Sequence, residues 1–371
     1  MKIGIDATGF GATKTGTVAY LTEILACWNA DKSLNHRFFI FVSPKAAHHL
    51  LALRLDDRFV LVHAPDHRHW RVIWQQLVLP FKIARLQLDA HWGSAFVLPL
   101  LSSTPMVVTV HDLTFELFPE HHERIKRLYF PAIIRASVRR AKRVLAISAA
   151  TREDLYKLIP ASHDKTTVTL LAARTIDSRV VAASPVRHPY VLFLGTLEPR
   201  KNLGRLIKAW QSLTTDVRGD WKLLVIGATG WMLRPPTPGD EQQAQGIEFL
   251  GQLEDADLAV YLRHAQVLAY PSIYEGFGLP VIEAMQMGVP VLTSDVGATR
   301  EVAADAACLV DPGSVTSIAQ GLGSLLTSPA RRQELSVKGA ARAALFSWQS
   351  TASLTLNAIV ESSQKAVQDF V

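Results

Sequence analysis

Glu275-Gly276-Phe277-Gly278-Leu279-Pro280-Val281-Ile282-Glu283, running on through Ala284 and Met285 to Gly288-Val289-Pro290-Val291, is the stretch whose reading decides the fold. Gly276 and Gly278 free the backbone to take φ > 0 and leave N–H groups uncovered. Pro280 suits the first turn of a helix, and the positive end of that helix then points back at the glycine turn, where it favours a phosphate. Glu283 falls about one turn into the helix, where a carboxylate can accept hydrogen bonds from paired hydroxyls such as those of a ribose. An anion pocket between two hydroxyl readers predicts a nucleotide-sugar site. The strand-to-helix turn that carries it predicts an α/β sheet.

Working outward, apolar β-rich runs alternate with helical patterns along the whole chain. Lys2–Asp6, Arg37–Val42, Arg58–His63, Met106–Val110, Arg143–Ile147 and Thr166–Leu171 read as strands of the first half. Thr17–Trp28, His122–Ala141 and Ala149–Lys157 read as helices between them. The pattern restarts after a stretch rich in Ala, Ser and Pro, Arg179 to Pro189. Strands are then expected at Tyr190–Leu194, Trp221–Ile226, Gly246–Leu250, Val267–Tyr270, Val289–Thr293 and Ala307–Val310. Helices are expected at Asn202–Leu213, Asp255–His264, Val281–Met287 and Ala298–Ala304. This alternation implies two facing Rossmann-like domains with parallel sheets, residues 1–184 and 185–346, and a helical tail 347–371 crossing back to the first domain. Residues 229–245, with Pro235, Pro236, Pro238 and Gly239, read as a surface loop.

The bulk numbers agree with this division. A chain of 371 residues exceeds the size at which one core stops growing, and 49% hydrophobic against 19% charged residues describes a globular protein with ample core material. Cys27 and Cys308 lack any CxxC or Cys/His spacing, so they are expected as buried thiols in a reducing compartment and no structural zinc is expected. Asp6 interrupts the first apolar run, so no signal peptide is readable, and no apolar stretch reaches membrane-spanning length. The net charge of +6 is uneven: residues 1–184 carry 24 Lys+Arg against 15 Asp+Glu, the rest 15 against 18. The excess lies around Arg68-His69-Trp70-Arg71 to Arg85 and from Arg124 to Arg143, where basic residues mix with aromatic and aliphatic ones. Such mixtures suit an anionic membrane surface, although a solvated charged face over a core helix gives the same pattern. No nucleic-acid-binding module accompanies the charge, so no nucleic-acid partner is expected.

Three further segments carry chemistry. The turn after the first strand, Asp6 to Gly16, contains Gly9, Gly11 and Gly16, but Lys14 breaks GxGxxG and Thr17 breaks the phosphate-loop pattern. A nicotinamide dinucleotide and P-loop chemistry lose their best position there; what remains is a flexible turn before a helix, structural or ligand-touching. His111-Asp112 follows the strand Met106–Val110, at the end of a sheet where ligands gather. His111 can hydrogen-bond a sugar hydroxyl or pass a proton, or can be satisfied by neighbouring backbone; His91, at the end of another expected strand, faces the same choice. Gly195-Thr196-Leu197-Glu198-Pro199-Arg200-Lys201-Asn202 again leads from strand to helix. Arg200 and Lys201 there oppose the helix dipole, a conflict that a bound phosphate relieves.

On these residues the chain resembles the retaining GT-B glycosyltransferases of family 4, the glycosyl transferases group 1. The likeness rests on Gly195–Asn202, on Asp257-Leu258 with Tyr261, on Pro271-Ser272-Ile273-Tyr274 leading into the E-x7-E pair Glu275/Glu283, and on Val310-Asp311-Pro312. In the first half it rests on Ile5-Asp6-Ala7, Gly16 with Tyr20, His111-Asp112-Leu113, and Ile147-Ser148 before Thr151. The resemblance implies that Arg200 and Lys201 hold the donor diphosphate, with Thr196 in the same loop. Glu283 takes the ribose, and Gly251–Leu253 borders the base. Glu275 addresses the transferred sugar beside the N–H groups of Gly276, Phe277, Gly278 and Leu279. His111 reaches the sugar, and Gly16 lets its loop approach the diphosphate. Many members carry Arg where Thr196 stands and a second glycine and a base after Gly16, where Val18 and Ala19 stand.

The resemblance further implies transfer with retention, by front-face attack in which the leaving phosphate oxygen takes the acceptor proton. No metal or other cofactor is implied. The particular wording of these motifs is similar to bacterial mannosyl- and rhamnosyltransferases of surface-polysaccharide assembly (O-antigen, capsule or exopolysaccharide). GDP-mannose is therefore the first expected donor, a UDP- or dTDP-sugar the next, and a lipid-linked saccharide at the cytoplasmic face of the inner membrane the expected acceptor. An NAD-dependent oxidoreductase and a non-catalytic nucleotide-sugar-binding protein are the rivals from other classes.

Overall fold

The computed structural model describes residues 1–11, 15–119, 124–174, 183–228 and 245–368. The chain divides into two compact units, Met1–Leu171 together with Ser347–Val371, and Ala172–Phe346. The first unit holds β1 (Lys2–Asp6), β2 (Arg37–Val42), β3 (Phe59–His63), β4 (Ala90–Gly93), β5 (Met106–Val110), β6 (Arg143–Ala146) and β7 (Thr166–Val168). They form one sheet in the order β3-β2-β1-β4-β5-β6-β7, and each of its pairings is parallel. The second unit holds β8 (Tyr190–Leu194), β9 (Lys222–Ile226), β10 (Ile247–Gly251), β11 (Val267–Tyr270), β12 (Val291–Ser294) and β13 (Cys308–Val310). Its order, β10-β9-β8-β11-β12-β13, repeats that of the first six strands, again with parallel pairing.

The strands are near-continuous apolar runs because a parallel sheet is covered by helices on both faces. Phe38 to Val42 of β2 and every residue of β5, β8 and β11 are buried. In each unit the winding reverses at a central pair, β1/β4 in the first and β8/β11 in the second. Ligands of such sheets collect outside the carboxyl ends of the strands at that reversal.

The helices that frame the strand ends and the basic surface are α1 (Gly16–Ala30), α2 (Arg124–Arg140), α3 (Leu203–Ser212), α4 (Leu279–Gln286) and α5 (Trp348–Gln368). Thr15 caps α1 by accepting the N–H of Val18 at 3.5 Å, and α1 buries Tyr20, Leu21, Ile24, Leu25 and Trp28. The C-terminal helix α5 returns to the first unit, packing on α1, β4, β5 and β6. Trp28 donates its indole N–H to the Ala352 carbonyl at 3.0 Å, and Thr351 donates to the Leu170 carbonyl at 2.5 Å. The second unit centres on Val191, Phe193, Leu206, Trp210, Leu223 and Leu322. Burying each such side chain contributes about 1.5–3 kcal/mol.

Differences from the sequence reading are mostly at element ends. The strand expected to end at His91 is β4, with His91 inside it, and α4 begins at Leu279 rather than Val281. Cys27 and Cys308 are partly rather than fully buried, and burial raises both thiols. Lys14, residues 179–182 of the expected linker and residues 229–244 of the expected loop lie outside the described residues.

Candidate functional site

The loops after β8 and β11, the pair at which the winding reverses, meet through a charged cluster. After β8, the chain makes a short 3-10 turn, Pro199–Lys201, and then Asn202 in the left-handed region (φ 64°) before α3 begins. Asn202 holds that conformation by donating its side-chain amide to the carbonyls of Pro271, at 2.9 Å, and Pro312, at 2.7 Å. Arg200 is tied to the same neighbour: its carbonyl accepts the N–H of Ile273 at 2.7 Å and the hydroxyl of Ser272 at 2.9 Å. The β8 and β11 loops are therefore stitched together by backbone before any charge is counted.

Glu275 sits where they join. Its Oε1 accepts from Lys201 Nζ at 2.7 Å, Ser272 Oγ at 2.6 Å and Tyr270 Oη at 2.8 Å, and its Oε2 accepts from Arg200 Nη1 at 2.9 Å. Arg200 also pairs with Glu198 at 2.9 Å, and Lys201 donates to Tyr270 Oη as well. Burial alone pushes the Glu275 carboxyl up, but Lys201 and Arg200 overcome it and hold the group at about 2. Burial draws the Lys201 ammonium down against the pull of Glu275. Burial and the Glu275 charge together raise the Tyr270 phenol well above its ordinary value. The dipole conflict expected at Arg200 and Lys201 is thus relieved by a carboxylate of the protein, and both residues precede α3 instead of opening it.

Gly278 (φ 103°) turns the chain into α4, a conformation that suits glycine. The N–H groups at the start of a helix have no partner further inside it; Pro280 has none, and those of Val281 and Ile282 bond to the Gly278 carbonyl at 3.0 and 3.4 Å, so the donors of the opening turn are those of Gly278 and Leu279. Glu283 lies within α4 and is 1% exposed. Arg174 grips it bidentately, Nε to Oε1 at 2.5 Å and Nη2 to Oε2 at 3.1 Å. The same guanidinium reaches Asp255 at 3.5 Å. A carboxylate has about four lone-pair positions, so this fork leaves Glu283 acceptor capacity for hydroxyls. Arg174 lies outside every motif read from the sequence, ahead of the expected linker; a basic residue just before the second Rossmann-like half was its only signal.

Thr196 is exposed, beside buried Leu197, in the loop after β8. Gly251 ends β10 with φ 70°, and its carbonyl accepts the N–H of Gly227 at 2.8 Å; Leu253, two residues on, is partly buried. Gly227 is fixed by crowding, because a Cβ there would stand 1.9 Å from the carbonyl oxygen of Gly195. The residues of the second unit expected on the donor side, other than Gly276 to Leu279 and Glu283 on the α4 turn, fall at the ends of β8, β10 and β11.

In the first unit Gly16 opens α1 and is exposed. His111 follows β5 and is buried; its Nε2 lies 2.9 Å from the Ser94 carbonyl. A carbonyl only accepts, so Nε2 carries the proton and Nδ1 is the acceptor. Tyr20 meets the imidazole edge-on at 4.9 Å and Phe96 lies at 5.4 Å. Burial lowers its pKa, only partly opposed by the Ser94 carbonyl and Asp112. His91 is wholly buried, with neither ring nitrogen partnered among the described residues; burial brings it down to about 4. It belongs to the packing around Phe41 and Gly4.

Two parallel sheets with this strand order define the class: the fold is that of the GT-B glycosyltransferases. The family described as glycosyl transferases group 1 matches residues 175–342, and glycosyltransferase family 4 matches residues 16–170. O-antigen chain mannosyltransferase B of Escherichia coli is 32% identical over 267 residues, 68% of this chain and 69% of the relative. Among solved structures, sucrose-phosphate synthase from Thermosynechococcus elongatus superposes with a TM-score of 0.74 at 20% identity, covering 99% of this chain and 100% of that one. Anabaena HepE, solved with UDP and glucose, gives a TM-score of 0.67 at 18% identity, covering 100% of this chain and 99% of that one. The chain belongs to the family 4 glycosyltransferases.

Proposed function

We propose that the protein is a retaining, metal-independent hexosyltransferase that moves mannose from GDP-mannose to a lipid-linked saccharide during assembly of a bacterial surface polysaccharide. It would work at the cytoplasmic face of the inner membrane, in peripheral contact with anionic lipid. The observation that carries this reading is the Arg200–Lys201–Glu275 cluster at the winding reversal of the second sheet, beside the α4 turn. The mannose assignment is supported by the mannosyltransferase relative. A UDP-sugar is the second reading, supported by the UDP and glucose bound to HepE.

In this reading a donor diphosphate takes over Arg200 and Lys201 from Glu275. The released carboxylate then accepts from hydroxyls of the transferred sugar. Glu283, gripped and oriented by Arg174, accepts the ribose hydroxyls; Gly251 and Leu253 border the base, and Thr196 and Gly16 adjoin the phosphates. As the bond from the anomeric carbon to phosphate breaks, negative charge on the leaving diphosphate is stabilised by Arg200, Lys201 and the N–H groups of Gly276 to Leu279. The acceptor oxygen bonds to the same face of that carbon, and its proton passes to the departing phosphate oxygen. His111, neutral, hydrogen-bonds a hydroxyl of the sugar. A thermal-shift screen of nucleotide sugars, followed by transfer assays with lipid-linked acceptors, tests the assignment. Stabilisation by GDP-mannose above all others is expected; binding of no nucleotide sugar would overturn it.

A further inference from the structure

Residues 68–86 form one continuous helical stretch, Arg68–Ile73, a wider turn at Trp74–Val78, and Leu79–Leu86. Pro80 explains the wider turn: it has no N–H to donate, and in a regular helix its ring would strike the carbonyl four residues back. The N–H of Leu79 instead reaches back five residues to the Trp74 carbonyl. Burial along this stretch is divided in an unusual way. Trp74, Leu79 and Ile83 enter the core of the first unit. Trp70 is 64% exposed, Ile73 47%, Leu77 53% and Phe81 77%. These are large apolar side chains held at the surface by a helix whose other face is already satisfied.

The exposed face continues onto neighbouring segments. Gln76 clamps the loop after β4: its amide donates to the Leu98 carbonyl at 2.9 Å and its oxygen accepts the N–H of Leu100 at 3.1 Å. The next residue, Leu101, is 71% exposed. Arg140, at the end of α2, donates to the carbonyls of Ser102 and Thr104 in the same loop. The apolar helix, the Leu101 loop and the basic end of α2 are therefore joined side by side. Their charge has one sign. Residues 67–88 carry four Lys+Arg and no Asp or Glu, and residues 124–143 carry eight and none. Arg85, Arg127, Arg139 and Lys142 are exposed.

A contiguous apolar patch on a protein surface marks a place of contact. Aromatic and aliphatic side chains beside a predominantly basic rim, in which Arg135 pairs with Glu116 and Arg143 with Glu361, fit a surface that is anionic at the headgroups and apolar just beneath. We propose that Trp70, Ile73, Leu77, Phe81 and Leu101 insert into the interfacial layer of an anionic bilayer, while the basic residues beside them pair with lipid phosphates. None of the described helices is long and apolar enough to cross a membrane, so the contact is a shallow one. The inference rests on the peripheral membrane contact proposed above and names the surface that makes it.

The test is flotation of the full chain with phosphatidylcholine vesicles, with and without phosphatidylglycerol. Wild type is expected to float with the anionic vesicles and to release as salt screens the charge. Leu77→Glu with Phe81→Glu is expected to weaken partition by at least about tenfold, with Tm unchanged because both side chains are exposed. Leu77→Phe with Phe81→Trp is expected to retain it. Wild type that stays with the unbound fraction overturns the inference, as does a Leu77→Glu/Phe81→Glu variant that floats as well as wild type. Light scattering that shows the glutamate variant splitting a dimer, with no vesicle binding by wild type, assigns the patch to a second copy and overturns it as well. Titration of the same proteins with GDP separates the two proposals: lost vesicle binding with intact GDP binding removes only the membrane surface, and the reverse result removes only the donor assignment.

Discussion

The two units share a strand order but arm their strand ends in opposite ways. After β5 the first unit presents a buried, neutral histidine whose proton is committed to a backbone carbonyl and whose ring is wedged between Tyr20 and Phe96. After β8 and β11 the second unit presents two cations and a carboxylate, all close to one another and largely buried. The topology supplies the place, and the residues supply the chemistry. A neutral group there tolerates burial with one good hydrogen bond, whereas the charged cluster persists only because each ion has a counter-ion and further donors.

The sharpest way to break this contrast is Lys201→Ala. Transfer is expected to fall by about 10²–10³, the usual cost of one preorganised donor to a developing anion. Stability should fall too, by less than the about 3–5 kcal/mol typical of a broken buried pair, because Arg200, Ser272 and Tyr270 still hold Glu275. Turnover measured with a nucleotide sugar and Tm from calorimetry check both; near-normal turnover removes Lys201 from the reaction.

Next in size, Glu283→Ala is expected to weaken nucleoside diphosphate binding about 10- to 100-fold, the range of a charged hydrogen-bonded group. Arg174→Ala should weaken it less, because Glu283 keeps its place in α4 and loses only its clamp. Calorimetric titration orders the three proteins, and equal affinity of Glu283→Ala and wild type would end the ribose assignment. His111→Phe keeps the aromatic packing and removes the hydrogen bond, so about a tenfold loss of transfer is expected. Since burial lowers the His111 pKa, any loss of wild-type rate from its protonation is expected only below the ordinary imidazole value of about 6.5. A loss from its protonation centred above that value would contradict the lowered imidazole.

The smallest effect sharpens the charged side. Glu275 is held at about 2 against an ordinary 4.5, so its contribution to stability is present above about 4.5 and is lost as pH falls towards 2. The difference in Tm between wild type and Glu275→Gln is therefore expected to shrink across that window. A constant difference would mean that the carboxylate gains nothing from Lys201 and Arg200.

The element pattern was largely legible in the sequence because a parallel sheet writes itself as apolar runs: β1, β2, β5, β8 and β11 begin and end at the residues the pattern gives. Ends are misjudged by one to three residues at β7 and β12, where Thr169 bonded to Ala146 and Leu268 bonded to Pro290 carry hydrogen bonding beyond the strand ends. The proximity of Arg200, Lys201 and Glu275 was implied by motifs separated by about 75 residues, since both follow adjacent strands of the reversal. What the sequence did not carry was their pairing with one another, which depends on side-chain reach across two loops. Arg174 was illegible for the same reason: nothing in its neighbours announces a partner 109 residues away. The exposed side of the 68–86 helix was also hidden, because Trp70, Trp74, Leu77 and Leu79 look alike until the turn before Pro80 sorts them.

Gly227 shows how far the loop after β8 depends on a residue that need never meet a ligand. The missing methyl lets the strand-end carbonyl of Gly195 settle against a bare α-carbon, and that contact sets the height of the segment bearing Thr196, Arg200 and Lys201. Swapping one hydrogen for a methyl would lift the whole segment off its seat, so the activity of this enzyme is vulnerable at a position no inventory of reactive groups would include.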